Sequence, residues 1–219
     1  MAEESKDKFY RPERTLAFSD GVIAVAITLL VLDLRLPPLG EKVSSAMLLA
    51  ALVQIAPKLA MYALSFGVVS MIWIGHHRKF TYIRRVNPRL IEINLVFLMF
   101  VGLVPFVTDI VGEYANAAAT IIYAPTLTIT SLASLATWWY AERTPGLRAE
   151  TVPEIERREI ILSPLLNAGV FAASIPVALW SSTAGRLTWL LLIPGALFAS
   201  ARVQQRRTAA SAGGASDPG

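Results

Sequence analysis

No charged side chain interrupts residues 114–141 of this chain. Wound as one α-helix at 1.5 Å per residue, that run reaches about 42 Å. The hydrocarbon core of a bilayer is only ~30 Å thick. Charge-free runs recur at residues 59–75, 93–108, 160–185 and 187–201. Single prolines fall inside several of them, which membrane helices tolerate because neighbouring groups satisfy the freed carbonyls. A soluble domain carries about 25% charged residues; here the share is 16%, with a mean hydropathy of +0.52. The fold class these features predict is all-α and polytopic, a membrane protein.

The first apolar stretch, residues 14–37, reads RTLAFSDGVIAVAITLLVLDLRLP and differs from the others. Its charge-free part is residues 21–32, twelve in all, closed by Asp20 and Asp33. Twelve residues cover roughly 18 Å, too little to face lipid across a whole bilayer. Such a helix belongs inside a bundle, where other helices cover it and water reaches its ends. Counting it, the sequence predicts six spans. Residues 43–56 are apolar but short, and Pro57 follows them; they fit a seventh span, a short helix, or an extension of the second span. Basic residues decide. With six spans and both termini inside, 16 of the 20 Lys and Arg fall on the cytoplasmic side, as the positive-inside rule requires. A seventh span would put the most basic loop outside, so the short segment is expected at the outer face. The expected organisation is a hydrophilic cytoplasmic N-terminus at 1–13, a six-helix membrane domain at 14–205 and a disordered cytoplasmic tail at 206–219. The location is the cell (inner) membrane.

Composition narrows function. Cysteine is absent and only two histidines occur, so a thiol nucleophile and a thiolate metal site are excluded and little remains for a metal centre. No catalytic triad, phosphate-binding glycine loop or dinucleotide motif is present, and no enzyme is expected. The net charge of +4 sits in the loops, where membrane topology places it, and does not point to nucleic acid.

Val25, Leu29 and Leu32 fall at i, i+4 and i+7 and share a helix face, with Thr28 one turn from Val25 and beside them. Ordinary packing explains such a stripe; so does a narrow apolar pore that passes ions by controlled wetting. A carboxylate such as Asp20 inside a membrane protein is costly unless paired or hydrated. Ser19 and Asp20 fit a helix N-cap, or Asp20 pairs with Arg14 or His77. Trp73, His76, His77 and Phe80 end the second span in WIGHHRKF. Adjacent histidines point apart, so one is expected to hydrogen-bond inside the bundle and the other to reach the basic loop. Asn94, at the start of the third span, seeks an interhelical hydrogen bond.

The string Arg14-x-x-x-Phe18-Ser19-Asp20-Gly21, followed by TLLVLDL, resembles the signature of the transmembrane protein 175 potassium channel family. WIGHHRKF and INLVFLMFVGLVPF are similar to segments of its bacterial members, in which each subunit has one copy of the motif and six helices. The resemblance spans roughly residues 11–205. It implies a homotetramer around a central pore lined by the first helix, permeant K+ ions and no other cofactor, and a modestly potassium-selective channel. By the same resemblance, Val25, Leu29 and Leu32 form the constriction and Thr28 contributes to selectivity. Arg14, Phe18, Ser19 and Asp20 hold the pore helix, with Trp73, His77 and Asn94 as partners. One position departs from the family. Val25 stands where isoleucine or leucine is usual, one methylene smaller, which implies a wider bore there and bears on potassium-over-sodium selectivity and leak. Competing readings are a proton-coupled carrier using Asp20 and His77, a membrane enzyme and a passive scaffold. A carrier usually shows an internal repeat, and none is evident.

Overall fold

The structure, a computed structural model, describes residues 9–40 and 42–192. Its helices are α1 (Glu13–Leu29), α2 (Ser45–Gln54), α3 (Ala56–Tyr82), α4 (Pro88–Glu113), α5 (Ala117–Arg143), α6 (Glu154–Trp180) and α7 (Ser182–Leu187). Short 3-10 turns, Leu30–Asp33 and Thr188–Leu191, extend α1 and α7. Five of these elements are long and apolar enough to cross a membrane: α1 with its 3-10 turn, α3, α4, α5 and α6.

Local chemistry sets the helix starts. Asn87 and Asn116 are N-caps whose side-chain oxygens accept from Leu90 N at 2.9 Å and Ala119 N at 3.0 Å, satisfying donors that a helix start leaves orphaned. Pro88 then occupies the first helical position, where its missing N–H costs nothing. Ser44 caps α2 and Ser181 caps α7 in the same way.

Helix α4 is the centre of the bundle. It packs on α1, α3 and α5, and α5 in turn packs on α6. Phe97, Val101, Val104, Val68, Val69, Ile23, Tyr123 and Phe171 fill the main core. A hydroxyl chain crosses that core. Thr108 Oγ1 donates to Ser65 Oγ at 2.9 Å, and Ser65 bonds Tyr123 Oη at 2.9 Å. Buried hydroxyls in a membrane bundle need such partners and tie helices together when they find them. A second, smaller core of Phe80, Ile83, Val86, Leu90, Ala141 and Leu147 closes the end of the bundle at which α1 begins.

Several expectations change. The spans are longer than their charge-free runs: α3 runs on to Tyr82 and α4 begins at Pro88, because charged residues at helix ends can still lie inside the protein. The fifth span stops at Trp180 rather than at residue 185. Ser181 is extended (φ −146°, ψ 113°), and the chain folds back so closely that a Cβ on Gly185 would sit 2.7 Å from Ala178 Cβ. Only the beginning of the sixth expected span, 187–201, falls within the described residues, as the end of α7 and its 3-10 turn; the remainder lies outside them, as do most of the N-terminal segment and the whole 206–219 tail. Of residues 38–57, the described 38–40 and 42–44 are irregular, Ser45–Gln54 forms the short helix α2, and a break at Ile55 precedes α3. The proposed cap at Ser19 and Asp20 is incorrect: α1 starts at Glu13 behind Pro12, which places both residues in the helix interior.

Candidate functional site

Helix α1 has two unlike faces. Ser19, Ile23, Ala26 and Leu30 are buried against the rest of the bundle, at spacings of three and four residues that keep them in one stripe. Phe18, Val25, Leu29 and Leu32 are between 41% and 58% exposed, and Gly21, Ala24 and Thr28 are open beside them. Among the described residues nothing covers this second stripe. The small Ala26 lies on the buried side, where it lets α1 approach its neighbours closely.

The buried face is fastened by polar groups. Ser19 Oγ donates to Thr15 O at 2.8 Å and accepts from Asn94 Nδ2 on α4 at 2.9 Å. Asp20 Oδ1 accepts from Trp73 Nε1 on α3 at 2.8 Å. The Trp73 ring lies 5.8 Å from that of His77, one turn along α3. A hydrogen bond to an ionised acceptor is stronger than a neutral one, so the Asp20–Trp73 contact both solvates the carboxylate and pins α1 to α3. Asn94 Oδ1 is buried without a partner among the described residues.

The structure therefore brings Ser19, Asp20, Trp73, His77 and Asn94 together and leaves Phe18 outside, on the open stripe. Arg14 is exposed and makes no ion pair among the described residues, so the partner of Asp20 is Trp73 rather than Arg14 or His77. Asp20 and His77 both meet Trp73, but no bond links them directly among the described residues. His77 stacks beside Trp73 instead of entering the basic loop. His76 does face the bundle interior, yet both of its ring nitrogens lack partners. It is held by aromatic contact, 4.6 Å from Phe80 and stacked 5.2 Å from Phe97.

Thr28 Oγ1 donates to Val25 O at 2.8 Å. That bond uses the hydroxyl proton, so the oxygen lone pairs remain available on the open face. At the far end of α1, Asp33, Lys58, Tyr62, Thr108 and Asp109 line a shallow recess, and Lys58 pairs with Glu113 beside it. No group of three or more histidine, aspartate or glutamate side chains is arranged to hold a metal among the described residues.

Lys79 escapes a reading by charge-free runs, which end the second span at residue 75 and leave this lysine among the cytoplasmic charges. It is 1% exposed. Its Nζ donates to Ser134 O at 2.7 Å and to Ser134 Oγ, and lies 5.8 Å from the Phe97 ring. Its spacing from Ile72 and His76 puts it on the buried stripe of α3, a signal that was visible once the helix was allowed to pass residue 75.

The chain is similar to known proteins. The model of the endosomal/lysosomal potassium channel TMEM175 family matches residues 14–105. A potassium channel of Chamaesiphon minutus is 31% identical over 178 residues, 77% of this chain and 86% of that protein. A potassium channel of Streptomyces collinus is 39% identical over 139 residues, 61% of this chain and 66% of that protein. The crystal structure of a lysosomal potassium-selective channel TMEM175 homolog from Chamaesiphon minutus matches with a TM-score of 0.70 at 25% identity, covering 87% of this chain and 96% of that one.

Proposed function

Given that this chain belongs to the TMEM175 family, a family of ion channels and not of enzymes, we propose that it is a cation channel, modestly selective for potassium, whose pore is walled by the open stripe of α1. Four copies would assemble as a homotetramer around an axis. Each subunit would present Val25, Leu29 and Leu32 to the centre as an apolar neck. The observation that carries this reading is the pairing of a polar, fastened face with an uncovered apolar face on a helix whose charge-free run is too short for lipid.

The mechanism follows from wetting. An apolar neck passes ions only where it is wide enough to hold water, or where an ion gives up part of its hydration. A larger ion of the same charge holds its water less tightly, which favours potassium over sodium. The Thr28 oxygens, one turn from Val25, replace some of the lost hydration. Valine at position 25 widens the inner part of the neck, so Leu29 and Leu32 carry most of the discrimination. The polar face supports the neck. Trp73 and Asn94 fix the azimuth and depth of α1, and a constriction built from side chains is only as well defined as the helix that presents them.

The experiment is electrical recording of purified protein in planar bilayers. Val25→Ala, Leu29→Ala and Leu32→Ala should each change potassium conductance or the potassium/sodium permeability ratio. Currents unaltered by all three substitutions would remove the neck from these residues.

A further inference from the structure

The end of the bundle at which α1 begins carries an arrangement that no apolar pattern announces. Three separate stretches are joined there by backbone hydrogen bonds. Tyr10 and Val86 exchange both of theirs, at 2.7 and 2.9 Å. Arg84 N and Arg85 N donate to Leu147 O at 2.8 and 3.1 Å, and Ala149 N donates to Tyr82 O at 2.8 Å. Gly146, at φ +81°, makes the turn that returns Leu147 to this contact, a backbone region glycine enters without strain. Val86, Ile83 and Leu147 anchor the layer from below in the second core.

This layer sorts the arginines. Arg78 is paired with Glu156 and Glu159, Arg157 with Glu142 and Glu154, Arg158 with Glu154, and Arg89 with Glu92. Arg11, Arg84, Arg85 and Arg143 are exposed and have no carboxylate partner among the described residues. Two of them lie on aromatic rings. The Arg143 guanidinium sits 3.8 Å from the Trp139 ring centroid, and that of Arg85 sits 5.8 Å from Phe9. Trp139 is 52% exposed and lies one turn inside the end of a membrane span, the depth at which tryptophan marks the headgroup region.

We propose that this arginine layer is a binding surface for anionic phospholipid headgroups of the adjoining leaflet. A guanidinium matches a phosphate with paired hydrogen bonds. Its stacking on an exposed aromatic holds it in the headgroup region instead of in bulk water. Backbone pairing fixes Arg84 and Arg85 relative to the span ends, Arg11 follows the paired Tyr10 and Arg143 closes α5, so the layer is preformed. Positive charge that served topology alone would have no reason to be segregated from the carboxylates nearby. A lipid bound here would clamp the connectors after α3 and α5 to the N-terminal segment leading into α1.

The test is thermal unfolding of the purified full-length protein in neutral detergent, with micellar phosphatidylglycerol, phosphatidylcholine or inorganic phosphate added; it does not depend on ion flux. Phosphatidylglycerol should raise Tm by roughly 5 °C in the native chain and in the paired-arginine control Arg158→Gln, and phosphatidylcholine and phosphate should not. Arg84→Gln/Arg85→Gln/Arg143→Gln should lose most of that rise. An equal rise with phosphatidylcholine, a rise reproduced by phosphate, or a full rise in the triple variant would overturn the proposal. If the triple variant does not fold, Arg143→Gln alone should lose part of the rise, and an undiminished rise there counts against the proposal equally.

Discussion

Helices α1 and α6 bury the same share of their most apolar windows, 22% in each case, yet they are built for different surroundings. From residue 160 to its end at Trp180, α6 runs without a charge, about 31 Å at 1.5 Å per residue, which matches the hydrocarbon core. Leu162, Leu165, Leu166, Leu179 and Trp180 are exposed along it. The charge-free run of α1 is little more than half as long, and its open stripe interleaves glycine, alanine and threonine with Val25, Leu29 and Leu32. Its covered stripe is bonded to α4 through Ser19, and Asp20 at the stripe's edge accepts from α3. Equal exposure therefore does not mean equal surroundings. On the proposed reading, charge-free length and polar fastening separate a helix that faces lipid from one that faces other copies of itself across water.

A lysine on each helix should break or sharpen this contrast most. Leu166→Lys puts an ammonium on the lipid side of α6 and should cost insertion about 2.5–3.5 kcal/mol, read as loss of membrane-integrated protein. Leu29→Lys should insert near normally, because its head reaches a watered axis, and should abolish cation flux by placing like charges in the path. Equal insertion defects in the two would erase the distinction.

Alanine substitutions come next. Leu29→Ala and Leu32→Ala should each alter potassium flux into liposomes several-fold by changing how readily the neck wets, whereas Leu165→Ala and Leu166→Ala should leave that flux unchanged. A third comparison concerns fastening. Asn94→Ala removes the bond to Ser19, and Trp73→Phe removes the bond to Asp20. Each should cost about 0.6–1.7 kcal/mol, seen as a lower Tm, and should broaden the distribution of single-channel conductances as α1 loses a fixed azimuth. The smallest effect belongs to Thr28→Val, which keeps the shape and removes the hydroxyl. Bilayer reversal potentials should show a lower potassium/sodium permeability ratio with Tm unchanged.

The membrane class, the five described spans and the need of Asn94 for an interhelical partner were legible in the sequence because their physics is local or strongly constrained. Charge-free length reports a span directly, and an asparagine in a bundle needs a partner whatever the fold, whereas Trp73 entered as a partner only through the family resemblance. The exact pairings were harder. Arg14 and His77 were reasonable partners for Asp20 by charge, but α3 presents Trp73 to that carboxylate, and charge alone does not report azimuth. Lys79 looked like a loop residue because runs of charge usually mark span ends; its burial depends on Ser134, fifty-five residues away. The backbone layer joining Tyr10, Val86 and Leu147 has no sequence period at all, since isolated pairings of connectors leave no repeat to read.

The account rests on the open stripe of α1 converging on an axis. Because the chain has no cysteine, Leu29→Cys introduces a single thiol per subunit, and potassium flux through that variant can be followed as Cd2+ is added. Converging thiolates bind a soft divalent ion tightly. The account predicts block of Leu29→Cys at low Cd2+, reversed by a chelator, with no block of the native chain or of Leu166→Cys. Undiminished flux through Leu29→Cys at Cd2+ levels that saturate a free thiol would contradict it.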